Sequence, residues 1–250
     1  MSEIESGKRT ITARHVQLWC AVCDASPGER DRLLAEQDAV ARMWVPYAEL
    51  NRGGLEAAQK SIRQVYAELR VARFYQPKVI GGMAQTEAYT RAALTGVLVE
   101  QQVTTAEPGA EVEAAVVERV DRQRLLSRAD ARWFFLIEEA VLWFRPYSRA
   151  LHREQLRHLL ELRRRPNVFL GVIPIDVDRK GVHPEEAFDI TDNALVMVEL
   201  VSGYLSLSRP EDIALYAATW ERLWALAVTG RSATALIQAA IKRLDGQAGL

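Results

Sequence analysis

Arg132-Trp133-Phe134-Phe135-Leu136-Ile137 is where the chain changes character. One arginine is followed by five consecutive aromatic or aliphatic side chains. That run is too short for a helix and has no polar face, so it predicts a buried strand. Downstream, residues 138–144 read as a short helix stopped at Arg145-Pro146. Ser148 to Arg164 is helical, with Leu151, Leu156, Leu159 and Leu160 inward, and Arg165-Pro166-Asn167 is a turn. Val168 to Ile175 predicts a second strand. The segments 187–190, 194–200 and 204–208 alternate or run apolar between the turn signals Asp192-Asn193 and Ser202-Gly203, a meander. Two amphipathic helices close the chain. One carries Ile213, Tyr216, Trp220, Leu223, Trp224 and Ala227, the other Leu236, Ile237, Ala240, Ile241 and Leu244.

Upstream of Arg132 the pattern is helical. Thr12 caps a helix carrying Val16, Trp19, Cys20 and Cys23. Ser26-Pro27-Gly28-Glu29 supplies a cap, a first-turn proline and an acid for the next helix, which holds Leu33, Leu34 and Val40. Leu55, Ala58, Ile62, Val65, Tyr66 and Leu69 form a long stripe that Gln76-Pro77 breaks. Residues 79–83, with Gly81-Gly82, read as a flexible turn, and Thr86 caps a helix through Leu94. Residues 99–111 read as a polar loop punctuated by Pro108-Gly109, and Val112 to Leu126 as a helix. The fold predicted is α+β: a mostly helical N-terminal half packed on a small mixed or antiparallel sheet with C-terminal helices.

The chain has 250 residues, enough for one large domain or a large one with an appendage. With 32 basic and 33 acidic residues, no global field favours nucleic acid or a membrane. Between Arg119 and Arg165 the balance is local and basic, with 12 arginines and 6 acids. Such a set serves either a solvated face or a patch for phosphate or carboxylate. Two cysteines exclude a disulfide framework, and no basic-then-apolar leader or long apolar run occurs. A cytoplasmic protein with no membrane contact is expected. Cys20 and Cys23 lack the further ligands zinc needs, and one helical face explains the pair as core residues. No catalytic motif, phosphate loop or metalloenzyme pattern occurs, so no cofactor is expected.

Four stretches carry a resemblance over nearly the whole chain. They are residues 2–10; Tyr75-Gln76-Pro77 through Gln85-Thr86 to Tyr89; Arg119, Arg122 and Gln123 with Leu136 to Leu142; and Arg165 to Pro174 with His183-Pro184. Their order resembles the actinobacterial Xre-type helix-turn-helix regulators with an antitoxin-like C-terminal domain. Where that family usually shows a proline, this chain has Gly81. The resemblance implies that residues 1–50 are an incomplete helix-turn-helix remnant and 51–250 an antitoxin-like ligand- or partner-binding domain. The remnant would bring Ser2, Lys8 and Arg9 toward DNA only if the chain extends upstream, because a recognition helix needs its packed platform. The partner expected is a small molecule or a protein, and a homodimer stays open.

The candidate ligand-binding residues are Gln85, Thr86, Tyr89, Arg122, Glu139 and Trp143, where aromatic walls and a few polar anchors would suit a flat organic ligand. Glu138 and Glu139 follow the first strand, and Arg122 is a candidate partner for a buried carboxylate there; a purely structural ion pair is the simpler reading. The second function class is an enzyme of specialised metabolism that keeps the sensor pocket, with Glu139 as its acid or base. The absence of any catalytic motif favours the non-enzymatic regulator.

Overall fold

A computed structural model describes residues 3–6 and 8–246, apart from the Arg42 side chain. The expected helix-turn-helix positions Ser2 and Gly7 lie outside the described residues. Helices α1 (Ala13–Val22) and α2 (Pro27–Met43) start at Thr12 and Ser26, whose hydroxyls accept from His15 N and Glu29 N. They lead into β1 (Trp44–Pro46), a helical turn α3 (Tyr47–Leu50) and α4 (Gly54–Ala67). Then come β2 (Val71–Gln76), α5 (Glu87–Glu100), α6 (Pro108–Arg122), β3 (Arg132–Glu138), α7 (Ala140–Trp143), α8 (Arg149–Leu162) and β4 (Val168–Ile173). The meander β5 (Phe188–Thr191), β6 (Leu195–Glu199) and β7 (Gly203–Leu207) precedes α9 (Pro210–Trp224) and α10 (Gly230–Gly246).

The strands form one mixed sheet of seven in the order β1-β7-β6-β5-β2-β3-β4. β2, β3 and β4 are parallel, so each joins the next through helices: α5 and α6, then α7 and α8. β5 turns antiparallel against β2, and β6, β7 and β1 continue that sense. This is the expected α+β architecture, with both sheet faces covered.

On one face, Leu156, Leu159 and Leu162 of α8 and Ala233, Ile237 and Ala240 of α10 join Phe74, Trp133, Phe135 and Val172. On the other, Ile213, Trp220 and Leu223 of α9 meet Tyr75, Leu136, Phe188, Ile190 and Val198. A third cluster, Leu55, Leu94, Val112, Ala115 and Val116, binds α4, α5 and α6 together. Burying such side chains contributes roughly 1.5–3 kcal/mol each, so these three clusters fix where the helices lie.

Several sequence expectations need correction. The stripe through Leu69 does not run to Gln76, because α4 ends at Ala67 and Val71–Gln76 is the central strand β2. Its start is held by Asp192, whose Oδ1 accepts from Arg70 N at 2.8 Å and Val71 N at 2.6 Å. Pro108 opens α6 as its first residue, and α5 extends to Glu100. Trp44–Pro46 is a strand, and it ties residues on the N-terminal side of position 50 into the sheet. Of the cysteine pair only Cys20 is buried; Cys23 is exposed at the helix end. The supposed flexible turn is packed, with Ile80, Met83 and Ala84 buried.

Candidate functional site

The inward stripes of α4 and α6 end in polar side chains. Along α4 the buried face runs Leu55, Ala58, Gln59, Tyr66. Along α6 it runs Val112, Ala115, Val116, Arg122, with the half-buried Arg119 at the same spacing. Where these faces meet the antiparallel half of the sheet, the core gives way to a polar cluster. Asp189 of β5 enters it because Phe188 and Ile190 point to the opposite face, so the strand's period of two turns the acid toward α4.

Tyr66 anchors the cluster. Its ring stands edge-on to Phe74 and Trp133, with centroids at 5.7 and 6.5 Å, and its hydroxyl donates to Asp189 Oδ2 at 2.9 Å. Gln76 Nε2 donates to Asp189 Oδ1 at 3.3 Å. Burial pushes the Asp189 carboxyl up to about 7. Arg122 lies over the Tyr66 ring at 5.7 Å and is only 3% exposed. Its Nε and Nη1 are buried without a hydrogen-bond partner. Burial, with the charge of Arg119 second, lowers its guanidinium to about 10, so it stays protonated at neutral pH.

Arg119 is fixed by neutral groups, donating from Nε to Gln59 Oε1 at 3.0 Å and from Nη1 to Gln85 Oε1 at 3.3 Å. At the far side, Glu199 Oε1 accepts from Tyr47 at 3.0 Å and Tyr204 at 3.3 Å. Burial raises the Tyr204 phenol, with Glu199 the next cause.

The segment between β2 and α5 covers the arginines. Gln123 Nε2 donates to Gly82 O at 2.9 Å and Gln85 O at 2.8 Å, and Gln85 Nε2 donates to Ile80 O at 2.8 Å. A β-carbon on Gly82 would sit 3.1 Å from Arg122 Nη2, so glycine lets the backbone approach the guanidinium closely. Gln155 of α8 completes the hold. Its Nε2 donates to Ala84 O at 2.7 Å, and its Oε1 accepts from Thr86 N at 2.7 Å.

Among the expected ligand-binding residues, Gln85 and Arg122 lie in this cluster. Thr86 caps α5, accepting from Tyr89 N, and Tyr89 is buried edge-on to Tyr147 at 4.8 Å. Glu139 and Trp143 make a separate constellation at the carboxyl end of β3. Trp143 Nε1 donates to Glu139 Oε1 at 3.2 Å, Ile175 N donates to Oε2 at 2.9 Å, and Arg243 lies over the indole at 5.3 Å. The expected pair between Arg122 and one of the carboxylates Glu138 and Glu139 is not formed. Glu138 takes Arg179 instead, at 2.9 and 3.1 Å. Lys8 and Arg9 are exposed on the N-terminal turn, where both backbone N–H groups donate to Glu3 O.

Tyr66, Gln59, Arg119, Gln76 and Asp189 were missed from the sequence. The signal was present for three. Gln59 and Arg119 fall on helical stripes otherwise filled by apolar residues, and Asp189 interrupts an apolar strand. Tyr66 reads as ordinary core, and Gln76 reads as a break.

Among the described residues no group of three or more His, Cys, Asp or Glu is placed to hold a metal, and no helix is long and apolar enough to cross a membrane. A family profile described as a domain of unknown function, DUF5753, matches residues 60–239, more than two thirds of the chain and the span that holds Tyr66, Arg119, Arg122 and Asp189. No curated protein and no solved structure matches.

Proposed function

The chain belongs to the DUF5753 family, and we propose that its large domain is a binding module rather than a catalyst. On this reading it takes a small organic molecule into the cluster between α4, α6 and the sheet, as the sensing part of an Xre-type, antitoxin-like regulator. The observation that carries the reading is Arg122, a 3%-exposed guanidinium with two buried donors unmet. Native proteins leave few such groups, because each costs about 1–3 kcal/mol, and a site awaiting a ligand is one setting that explains them.

The alternative enzyme reading has weaker support. Both oxygens of Glu139 are engaged by Trp143 and the Ile175 backbone, which positions the carboxylate as a strut. Contact with DNA through Lys8 and Arg9 would need helices ahead of Ser2. A partner protein is a second occupant class, favoured by the exposed Leu18, Trp19 and Val22 along α1.

Native mass spectrometry on the full chain tests the sensor reading. A retained small-molecule mass on the wild-type protein, lost in Arg122→Gln, is the expected result. A bare wild-type mass, together with a melting temperature unmoved by a broad metabolite panel, would end it.

A further inference from the structure

We infer that the molecule taken up by this cluster carries an anionic group, a carboxylate or a phosphate, seated against Arg122 and Arg119. The inference rests on the sensor reading above and names the chemistry of its ligand. Among the described residues, neither arginine is in an ion pair. By contrast Arg63, Arg91, Arg128, Arg179 and Arg209 each meet a carboxylate.

The acids of the cluster are engaged by neutral donors: Asp189 by Tyr66 and Gln76, and Glu199 by Tyr47 and Tyr204. Charge is therefore sorted unevenly. Carboxylates are satisfied by phenols and an amide, while the two neighbouring guanidiniums feel Asp189 and Glu199 only from a distance and, among the described residues, pair directly with neither. Burial raises the Asp189 carboxyl to about 7, so near neutral pH it carries its charge only part of the time, which weakens its pull on Arg122.

A buried cation without a partner is costly, and two side by side add mutual repulsion. An oxyanion would relieve both. It would accept from Arg122 Nε or Nη1, the two unmet donors, which lie on opposite edges of the guanidinium, so a charge-assisted hydrogen bond forms at one edge. Both guanidiniums are held in place: Gln59 and Gln85 hold Arg119, and the Tyr66 ring holds Arg122 from one side. Gly82 brings the covering backbone close with no side chain in the way.

Three probes on the full chain separate charge from shape: benzoate, phenyl phosphate and the uncharged benzamide. Each is titrated while the Arg122 Nε–H resonance is followed by NMR and affinity by calorimetry. Benzoate or phenyl phosphate is expected to shift that resonance and to bind about 10- to 100-fold tighter than benzamide, as hydrogen bonds to a charged group require. Arg122→Gln should erase the preference, and Arg122→Lys should keep part of it.

Equal binding of benzamide and benzoate, with shifts at Tyr66, would overturn the inference while leaving the sensor reading intact. So would a benzoate preference that survives in Arg122→Gln, or no response to any probe at millimolar concentration from a chain that retains a neutral mass. No response and no retained mass would remove both. A source in phosphate esters gives the phenyl phosphate response alone; a source in carboxylic acids gives the benzoate response.

Discussion

Replacing Arg122 with methionine should make the empty protein more stable, the opposite of what most core substitutions do. The side chain is 3% exposed, and two of its donors are buried without partners. Each orphaned donor costs about 1–3 kcal/mol. Against that relief stands the loss of the contact with the Tyr66 ring at 5.7 Å, worth about 1–2 kcal/mol. The methionine stem keeps the apolar contacts of the arginine stem, and the repulsion from Arg119 disappears. The net gain is about 0–5 kcal/mol, the relief of the two donors less the lost ring contact. At about 2 kcal/mol this raises the melting temperature of a chain this long by roughly 4–8 °C. Urea denaturation and thermal melts, in a buffer free of carboxylates and phosphates, read it as a higher midpoint at unchanged slope. Added benzoate should stabilise wild type alone and narrow the gap. If the variant melts below wild type in anion-poor buffer, Arg122 is already compensated, and the argument from its unmet donors is wrong.

Two further outcomes follow from geometry. The Asp189 carboxyl stands near 7 in the folded chain and near 3.9 when unfolded, so the folded state binds the extra proton between those values. Stability from this group is complete below about pH 4 and is lost as pH rises to about 7. The wild-type minus Asp189→Asn difference in unfolding free energy should therefore fall through that window and level off above it; a flat difference would contradict the buried, proton-holding carboxyl. Gly203→Ala should cost about 1–3 kcal/mol, because its β-carbon would meet Val45 O at 2.3 Å and Pro46 Cα at 2.8 Å. Faster hydrogen exchange at the Tyr47 amide, which donates to Ser202 O, would locate the damage at the β1–β7 edge, whereas unchanged exchange would disprove that close approach.

The fold was legible wherever one segment carried its own signal. The aromatic run of β3 lies buried on both faces, and Asp192-Asn193 takes the left-handed conformation at both positions, φ 52° and 51°, that a tight hairpin needs. Thr12, Ser26 and Thr86 cap as read, and Ser148, read as the first residue of its helix, is the cap of α8. β2 was hidden because its strand character depends on partners far along the chain. Val71 pairs beside Arg132 and Ala72 beside Thr191, while locally the segment only prolongs the apolar texture of α4. The cluster was half legible for the same reason. Arg122 and Gln85 could be named from the sequence, but Asp189 and Tyr66 come together only when a meander 123 residues away folds back onto α4.

β1 begins at Trp44, the residue immediately after α2 ends at Met43, and Tyr47 follows β1 directly to grip Glu199. No slack exists in that run. A rearrangement of Tyr47, Tyr204 and Glu199 on occupancy of the cluster would be passed along the three-residue edge strand to the last turn of α2, as through a rigid crank. The amino-terminal helices are thus joined to the interior with no loop between them.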